Sequence, residues 1–229
     1  MKREEVFKFL TLRTIGYFLV LFAIYGVFAT FGPVLYYQAE YEIMQTRGIH
    51  FVIKDVGAGK TSDTGGGLGN LLAGPQQQIL IPKDPMFSIL IPKIGANAKV
   101  IPNVDPSNPE DYLPKLQLGV AHAAGSVFPG MNGNIYLFAH STDNFWNVAQ
   151  YNAVFFLLKD LKPGDEIVIF FENVRHNYVV TGSKTVDPSD VSYLVNSQKS
   201  NKETLILQTC WPPGTTWQRL LVFAKPVAQ

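Results

Sequence analysis

The sequence predicts a small, mainly β domain of short strands held behind one N-terminal membrane-spanning helix. Three observations predict it. No charged residue occurs between Arg13 and Glu40. A glycine-rich stretch, Gly57 to Gly74, follows. From about residue 80 onward, short apolar or alternating runs are separated by proline and glycine turns. Of the 229 residues, 47% are hydrophobic and only 16% are charged. Soluble domains average about 25% charged residues, so part of this chain belongs outside water. A net charge of +1 lacks the basic excess of a nucleic-acid binder and the acidic excess of a disordered chain.

The apolar run, residues 14–39, is long enough to cross a hydrocarbon layer that takes about 20 helical residues. Gly16, Gly26, Gly32 and Pro33 are tolerated in such helices, and Pro33 is expected at the outer end or at a kink near it. Tyr36, Tyr37 and Tyr41 suit the interface. Lys2, Arg3, Lys8 and Arg13 precede the run, and the next basic residue after it is Arg47. Positive-inside then places residues 1–13 in the cytoplasm and the rest outside the membrane. A cleaved signal peptide fits less well, because a signal core spans about 7–15 residues and ends at a small-residue cleavage site. A buried soluble helix fits less well again, since every face is apolar.

Residues 40–79 are expected to form a stalk and a flexible linker, because a segment so rich in glycine buries too little to offset its ordering entropy. Gly59-Lys60-Thr61 resembles the end of a phosphate-binding loop, but the first glycine of that pattern would fall on Lys54. In residues 80–229 the strand-like runs are Phe87–Ile91, Lys99–Ile101, Gly119–Ala123, Ile135–Ala139, Glu166–Glu172, Asn177–Val186, Thr204–Thr209 and Arg219–Ala224. Many short strands with such punctuation indicate a sandwich or barrel. Helical pieces are expected at Asn108–Lys115, at Val148–Leu158, and after Asp187-Pro188-Ser189 with Ser189 as cap.

The chain has one cysteine, Cys210, so no internal disulfide forms. It ends an apolar run where a loop containing Pro212-Pro213-Gly214 opens, and Arg219 begins the next run. Two antiparallel strands joined by this loop would bring the two together, where a guanidinium can stabilise a thiolate or an oxyanion. A buried structural thiol and a solvated arginine fit the same spacing. His140 ends the run beginning at Asn134 and is followed by Ser141 and Thr142, a position suited to acid–base chemistry but also to a structural histidine. His122, in Gly119-Val-Ala-His-Ala-Ala-Gly-Ser126, lies in another run. No metal is expected: ligand spacings for zinc or calcium are absent, and Asp105, Glu110, Asp111, Asp143 and Asp187 read as a solvated face.

Together these segments resemble the sortase family. Phe87-Ser-Ile-Leu-Ile-Pro-Lys-Ile94 is similar to its first strand, and Gly133-Asn-Ile-Tyr-Leu-Phe-Ala-His140 to the stretch ending in its catalytic histidine. Leu207-Gln-Thr-Cys210 resembles the T-L-x-T-C signature, and Arg219 fits the position of the family's arginine. The departures are Ile206 for the first threonine, Ala139 for the glycine before the histidine, and Ser126 for a threonine. All three catalytic side chains remain. The resemblance covers about residues 87–227 and implies an eight-stranded β-barrel. It implies Cys210 as nucleophile, His140 as proton donor and acceptor, and Arg219 as oxyanion stabiliser, with Thr209, Ser141 and, peripherally, His122 near the substrate. It further implies an LPxTG-like sorting signal on surface proteins or pilins, an amine acceptor of the cell envelope, and no cofactor. A membrane-tethered cysteine hydrolase and a non-catalytic, membrane-anchored binding barrel are the competing readings. An L,D-transpeptidase fits less well, because its arginine lies two residues after the cysteine, not nine.

Overall fold

The computed structural model describes residues 3–46, 50–53, 77–141, 154–213 and 215–227. The glycine-rich segment Gly57–Gly74 and Asp143 lie outside the described residues. Helix α1, Arg3–Thr46, is continuous. Its stretch Glu4–Phe28 is long and apolar enough to cross a membrane, with none of it buried against protein. Pro33 does not end this helix, which continues to Thr46. Proline removes one hydrogen bond from a helix, and membrane helices tolerate that loss more readily than soluble ones.

Past this helix the described residues form ten strands. β1 (His50–Ile53) and β2 (Gln77–Leu80) pair in parallel as a separate small sheet. The other eight described strands close into a barrel. They are β3 (Phe87–Ile91), β4 (Ala96–Val104), β5 (Val120–Ala123), β6 (Asn134–Phe138), β7 (Glu166–Phe171), β8 (Val174–Val186), β9 (Thr204–Trp211) and β10 (Gln218–Pro226). Around the barrel the order is β10-β8-β7-β3-β4-β5-β6-β9. Closure removes the free edges that an open sheet would expose. Each of the eight expected runs is a barrel strand, and β4, β8, β9 and β10 extend beyond the run that the apolar pattern marks.

Two neighbouring pairs are parallel, β4–β5 and β6–β9, and a parallel pair requires a long crossover. The first crossover is helix α2, Pro109–Leu118. Asn108 caps it by accepting from the Glu110 N–H at 3.0 Å, with Pro109 at the first helical position. The second crossover carries the β7–β8 hairpin. In that hairpin's two-residue turn Glu172 and Asn173 both have positive φ, 50° and 65°, as a tight turn matching the strand twist requires. Their N–H groups donate to Met86 and Pro85 carbonyls, both at 3.0 Å.

The expected helix at Val148–Leu158 is a short 3-10 helix over Phe156–Asp160 in its described part. The turn after Pro188 comes at Ser192–Val195, and Ser189 does not cap it. Ser189 is drawn away because both its N–H and its hydroxyl donate to Asp187.

Strand alternation gives the barrel two apolar faces. Ile89, Ile91, Ile135, Leu137, Leu205, Leu207 and Val222 share the inward face, and none is exposed. On the outward face, Ala121, Tyr136, Phe138, Ile206 and Leu221 cluster with Leu116 of α2 and with Tyr193 and Leu194. Elsewhere outside, Leu90, Val168 and Phe170 are covered by Ile53 of β1 and Leu80 of β2. Stretches buried on both faces lose their alternation and read as continuous apolar runs, as Ile135–Phe138 does.

Gly119 joins α2 to β5 where the chain passes close to β4. A Cβ there would stand 2.3 Å from the Lys99 carbonyl oxygen. We expect Gly119→Ala to force these backbones apart and to cost about 1–3 kcal/mol, the usual range for an overpacked site. The urea midpoint of the detergent-solubilised chain checks this, and an unchanged midpoint would contradict the close approach.

Candidate active site

β9 lies between β6 and β10. Against antiparallel β10, Cys210 is directly opposite Arg219, and directly opposed residues project from the same face of a sheet. Against parallel β6, Gln208 is level with Phe138. The ladder runs one step further, because the Ala139 N–H donates to the Gln208 carbonyl at 3.2 Å. The Thr209 hydroxyl adds a second tie, donating to the Ala139 carbonyl at 3.2 Å. His140 therefore arrives level with Cys210. By the same alternation all three side chains fall on the outward face, in phase with Tyr136, Phe138, Ile206 and Leu221, at the end of the apolar cluster under α2. Each of the three is half-buried, and Cys210 is in no disulfide.

Arg219 is braced by its own loop, with Nη1 donating to the Thr216 and Gln218 carbonyls, both at 3.1 Å. On β8 its register partner is Val186, which brings Asp187 near. The Asp187 carboxyl is held below its ordinary value by the Ser189 hydroxyl and N–H, with the Arg219 charge adding to them. The same guanidinium acts on the Tyr136 phenol. Burial raises the phenol's pKa, and the arginine only partly opposes that. Register thus sets an arginine directly opposite the cysteine, a residue type that can stabilise a thiolate or a developing oxyanion.

The remaining candidates lie elsewhere. Thr209 faces inward and is 2% exposed, so it ties the two strands beneath the site and does not line its surface. Ser141 follows His140 but is itself buried. His122 is not brought to the trio. It pairs with Leu137 on the inward face and has no exposed surface. Its ring stacks on Phe128 at 4.4 Å and lies 5.8 Å from Phe87. Nδ1 accepts from the Asn103 N–H at 3.4 Å, while Nε2–H faces the Val127 carbonyl at 3.1 Å and the Ser126 oxygen at 2.9 Å. The Ser126 hydroxyl in turn donates to the Ala123 carbonyl at 2.8 Å. These partners suit a neutral ring with its proton on Nε2.

Among the described residues no group of His, Cys, Asp and Glu could hold a metal ion. Sequence reasoning missed Tyr136 and Gln208, which are hydrogen-bonded to each other. The available signal was strand phase: Gln208 is two residues before Cys210, and Tyr136 four before His140.

The family model for the sortase domain matches residues 89–227. The chain belongs to the sortase family. Over 140 residues it is 29% identical to Sortase D of Bacillus subtilis strain 168, covering 60% of this chain and 61% of that relative. The match therefore spans less than two-thirds of the relative's length. Among solved structures, a Clostridium perfringens sortase D5 transpeptidase is 26% identical with a TM-score of 0.51, over 63% of this chain and 80% of that one. Clostridium perfringens sortase C with its C-terminal cell wall sorting motif is 25% identical with a TM-score of 0.51, over 62% and 70%. The sortase fold matches the closed barrel of eight described strands.

Burial of His122 sets a pH dependence. Desolvation lowers its pKa below the ordinary 6.5, and the Val127 carbonyl only partly opposes this. Below pH 6.5 the unfolded chain takes up a proton that the folded chain refuses, so stability is full above that pH and falls as pH drops below it. His176, whose pKa is also lowered by burial, acts in the same direction. We expect the urea midpoint to fall between pH 7 and pH 5, and to fall less steeply in His122→Gln, which keeps an N–H donor. Identical slopes would assign the effect to other groups.

Proposed function

We propose that this sortase is a membrane-anchored cysteine transpeptidase that cleaves an LPxTG-like sorting signal and transfers the acyl half to an amine. The observation that carries the reading is the in-register pair Cys210–Arg219, with His140 delivered to the same level by the parallel β6–β9 ladder. Nucleophile, acid–base and charge stabiliser are thereby gathered at the ends of adjacent strands, the constellation that two-step acyl transfer needs. The relatives support the substrate class, since one sortase was solved with a C-terminal cell wall sorting motif.

In the first step the Cys210 sulfur attacks the threonine carbonyl carbon. A C–S bond forms, the C–N bond to glycine breaks, and His140 gives the departing amine its proton. In the second step an amine of the cell envelope attacks the thioester. His140 takes the amine's proton as the C–S bond breaks and the thiolate leaves. Arg219 offsets the negative charge on the carbonyl oxygen in both tetrahedral states. Surface proteins or pilins carrying the signal are the donors. The apolar helix, with Lys2, Arg3, Lys8 and Arg13 at its start, anchors the enzyme with its N-terminus in the cytoplasm and its barrel outside.

We expect Cys210→Ala to abolish peptide cleavage, because the chain has no other thiol. His140→Ala should lower turnover about 10²–10⁴-fold, and Arg219→Ala about 10²–10³-fold. Arg219→Lys should recover only part, because an ammonium does not reproduce the planar fork. His122→Ala, corrected for folded fraction, should cost far less than His140→Ala. Steady-state cleavage of sorting-signal peptides, with circular dichroism of each variant, measures all of these. Near-normal turnover in folded Cys210→Ala would end the reading, and product that stays hydrolysed when amine is in excess would favour the hydrolase.

Topology is tested separately. Protease added outside intact spheroplasts should degrade the barrel. Complete protection, while an outer-face control protein is cut, would reverse the orientation.

A further inference from the structure

Gln208 lies on the same face as Cys210, two residues earlier on β9, or about 7 Å along an extended strand. Its side chain is clamped. The Tyr136 hydroxyl donates to Gln208 Oε1, and Tyr136 is 5% exposed, in a cluster with Ile206, Leu221 and Phe138. A tyrosine phenol is protonated at physiological pH, and burial raises its pKa further. With Oε1 engaged, the two N–H groups of the amide are left to donate elsewhere, and among the described residues they meet no protein acceptor. Gln208 is only half-buried, so these N–H groups stay hydrated until something covers them. An amide donor held rigidly beside a nucleophile is a ready reader of a carbonyl oxygen.

We propose that the Tyr136–Gln208 pair is a substrate-positioning element, in which Gln208 Nε2 donates to a carbonyl oxygen of an extended peptide about two residues upstream of the scissile carbonyl. This rests on the acyl-transfer reading of Cys210. The spacing sets the distance, since an extended peptide also advances about 7 Å in two residues. The strand sets the direction. β9 ends at Trp211, one residue past Cys210, so the floor formed by this strand lies on the Gln208 side. The acyl half must stay seated through both displacement steps while the leaving half vacates, and the acyl half therefore takes the floor. Tyr136 acts through Gln208 by fixing which end of the amide faces the peptide.

The test uses the full chain in detergent with fluorescent Leu-Pro-X-Thr-Gly peptides. Gln208→Leu keeps the volume and removes the donor. It should raise KM about tenfold, the penalty of leaving a covered polar group unpaired, with kcat within about threefold. Gln208→Glu, which presents only acceptors, should raise KM at least as much. Tyr136→Phe should raise it less. Alkylation of Cys210 by iodoacetamide should keep its rate in all three. Unchanged KM in folded Gln208→Leu overturns the proposal. So does a loss wholly in kcat with slowed alkylation, which would place the effect on the thiol. Peptide binding to Cys210→Ala, with and without Gln208→Leu, is read by anisotropy. Gln208-dependent binding without any cleavage by the unsubstituted chain upholds this proposal and overturns the transpeptidase reading. Cleavage with a KM indifferent to Gln208 does the reverse, and neither binding nor cleavage overturns both.

Discussion

Hydrogen bonds hold β9 on both edges, parallel to β6 and antiparallel to β10, and everything at the candidate site depends on that double registration. A strand's side chains alternate between faces, so a slip of one residue along either edge would turn Cys210 inward or carry its partner away. The apolar alternation guards against such a slip. Leu205 and Leu207 are buried inward while Ile206 is buried outward, so neither face tolerates an exchange. Thr209 secures the last step of the ladder, where the regular pairing of β6 gives out and His140 begins.

The barrel is thus a two-sided device. Inward, at the end where Phe87, Phe128 and Phe171 meet, rings pack at centroid distances of 5.0–6.0 Å, and His122 is enclosed with them as a fully hydrogen-bonded ring. Outward, one apolar cluster is roofed by α2 and the Tyr193–Leu194 turn, and beyond it the polar groups Gln208, Cys210, His140 and Arg219 reach half-exposed positions. The two histidines differ in setting because they differ in face. One is withdrawn from water, which disfavours its charged form. The other stays half-exposed, within reach of solvent.

Parallel pairing is what makes this geometry possible in a chain of short strands. His140 lies just past the end of β6 and Cys210 one residue before the end of β9, and only parallel neighbours bring two such ends to the same rim. The cost is a long crossover between β6 and β9, which the chain uses to build the β7–β8 hairpin that continues the barrel. Arg219 reaches the same rim from the opposite direction, as the first residues of an antiparallel strand do.

Much was legible in the sequence because it is local. An uncharged apolar run, glycine and proline punctuation, eight strand-length runs, and the lone thiol with its flanking motif all depend on neighbours within a few residues. These marked out a mainly β domain, one long apolar helix and, through the family resemblance, His140, Cys210 and Arg219 as candidates. Tertiary structure alone decided which strands lie side by side and in which direction, because such pairings join residues far apart in the chain. It put His122 inside the barrel, although its sequence setting resembles that of His140. It paired His50–Ile53, part of the expected stalk, with Gln77–Leu80 across the segment between them. It also joined Tyr136 to Gln208 across two parallel strands, a contact that no pattern within either strand encodes.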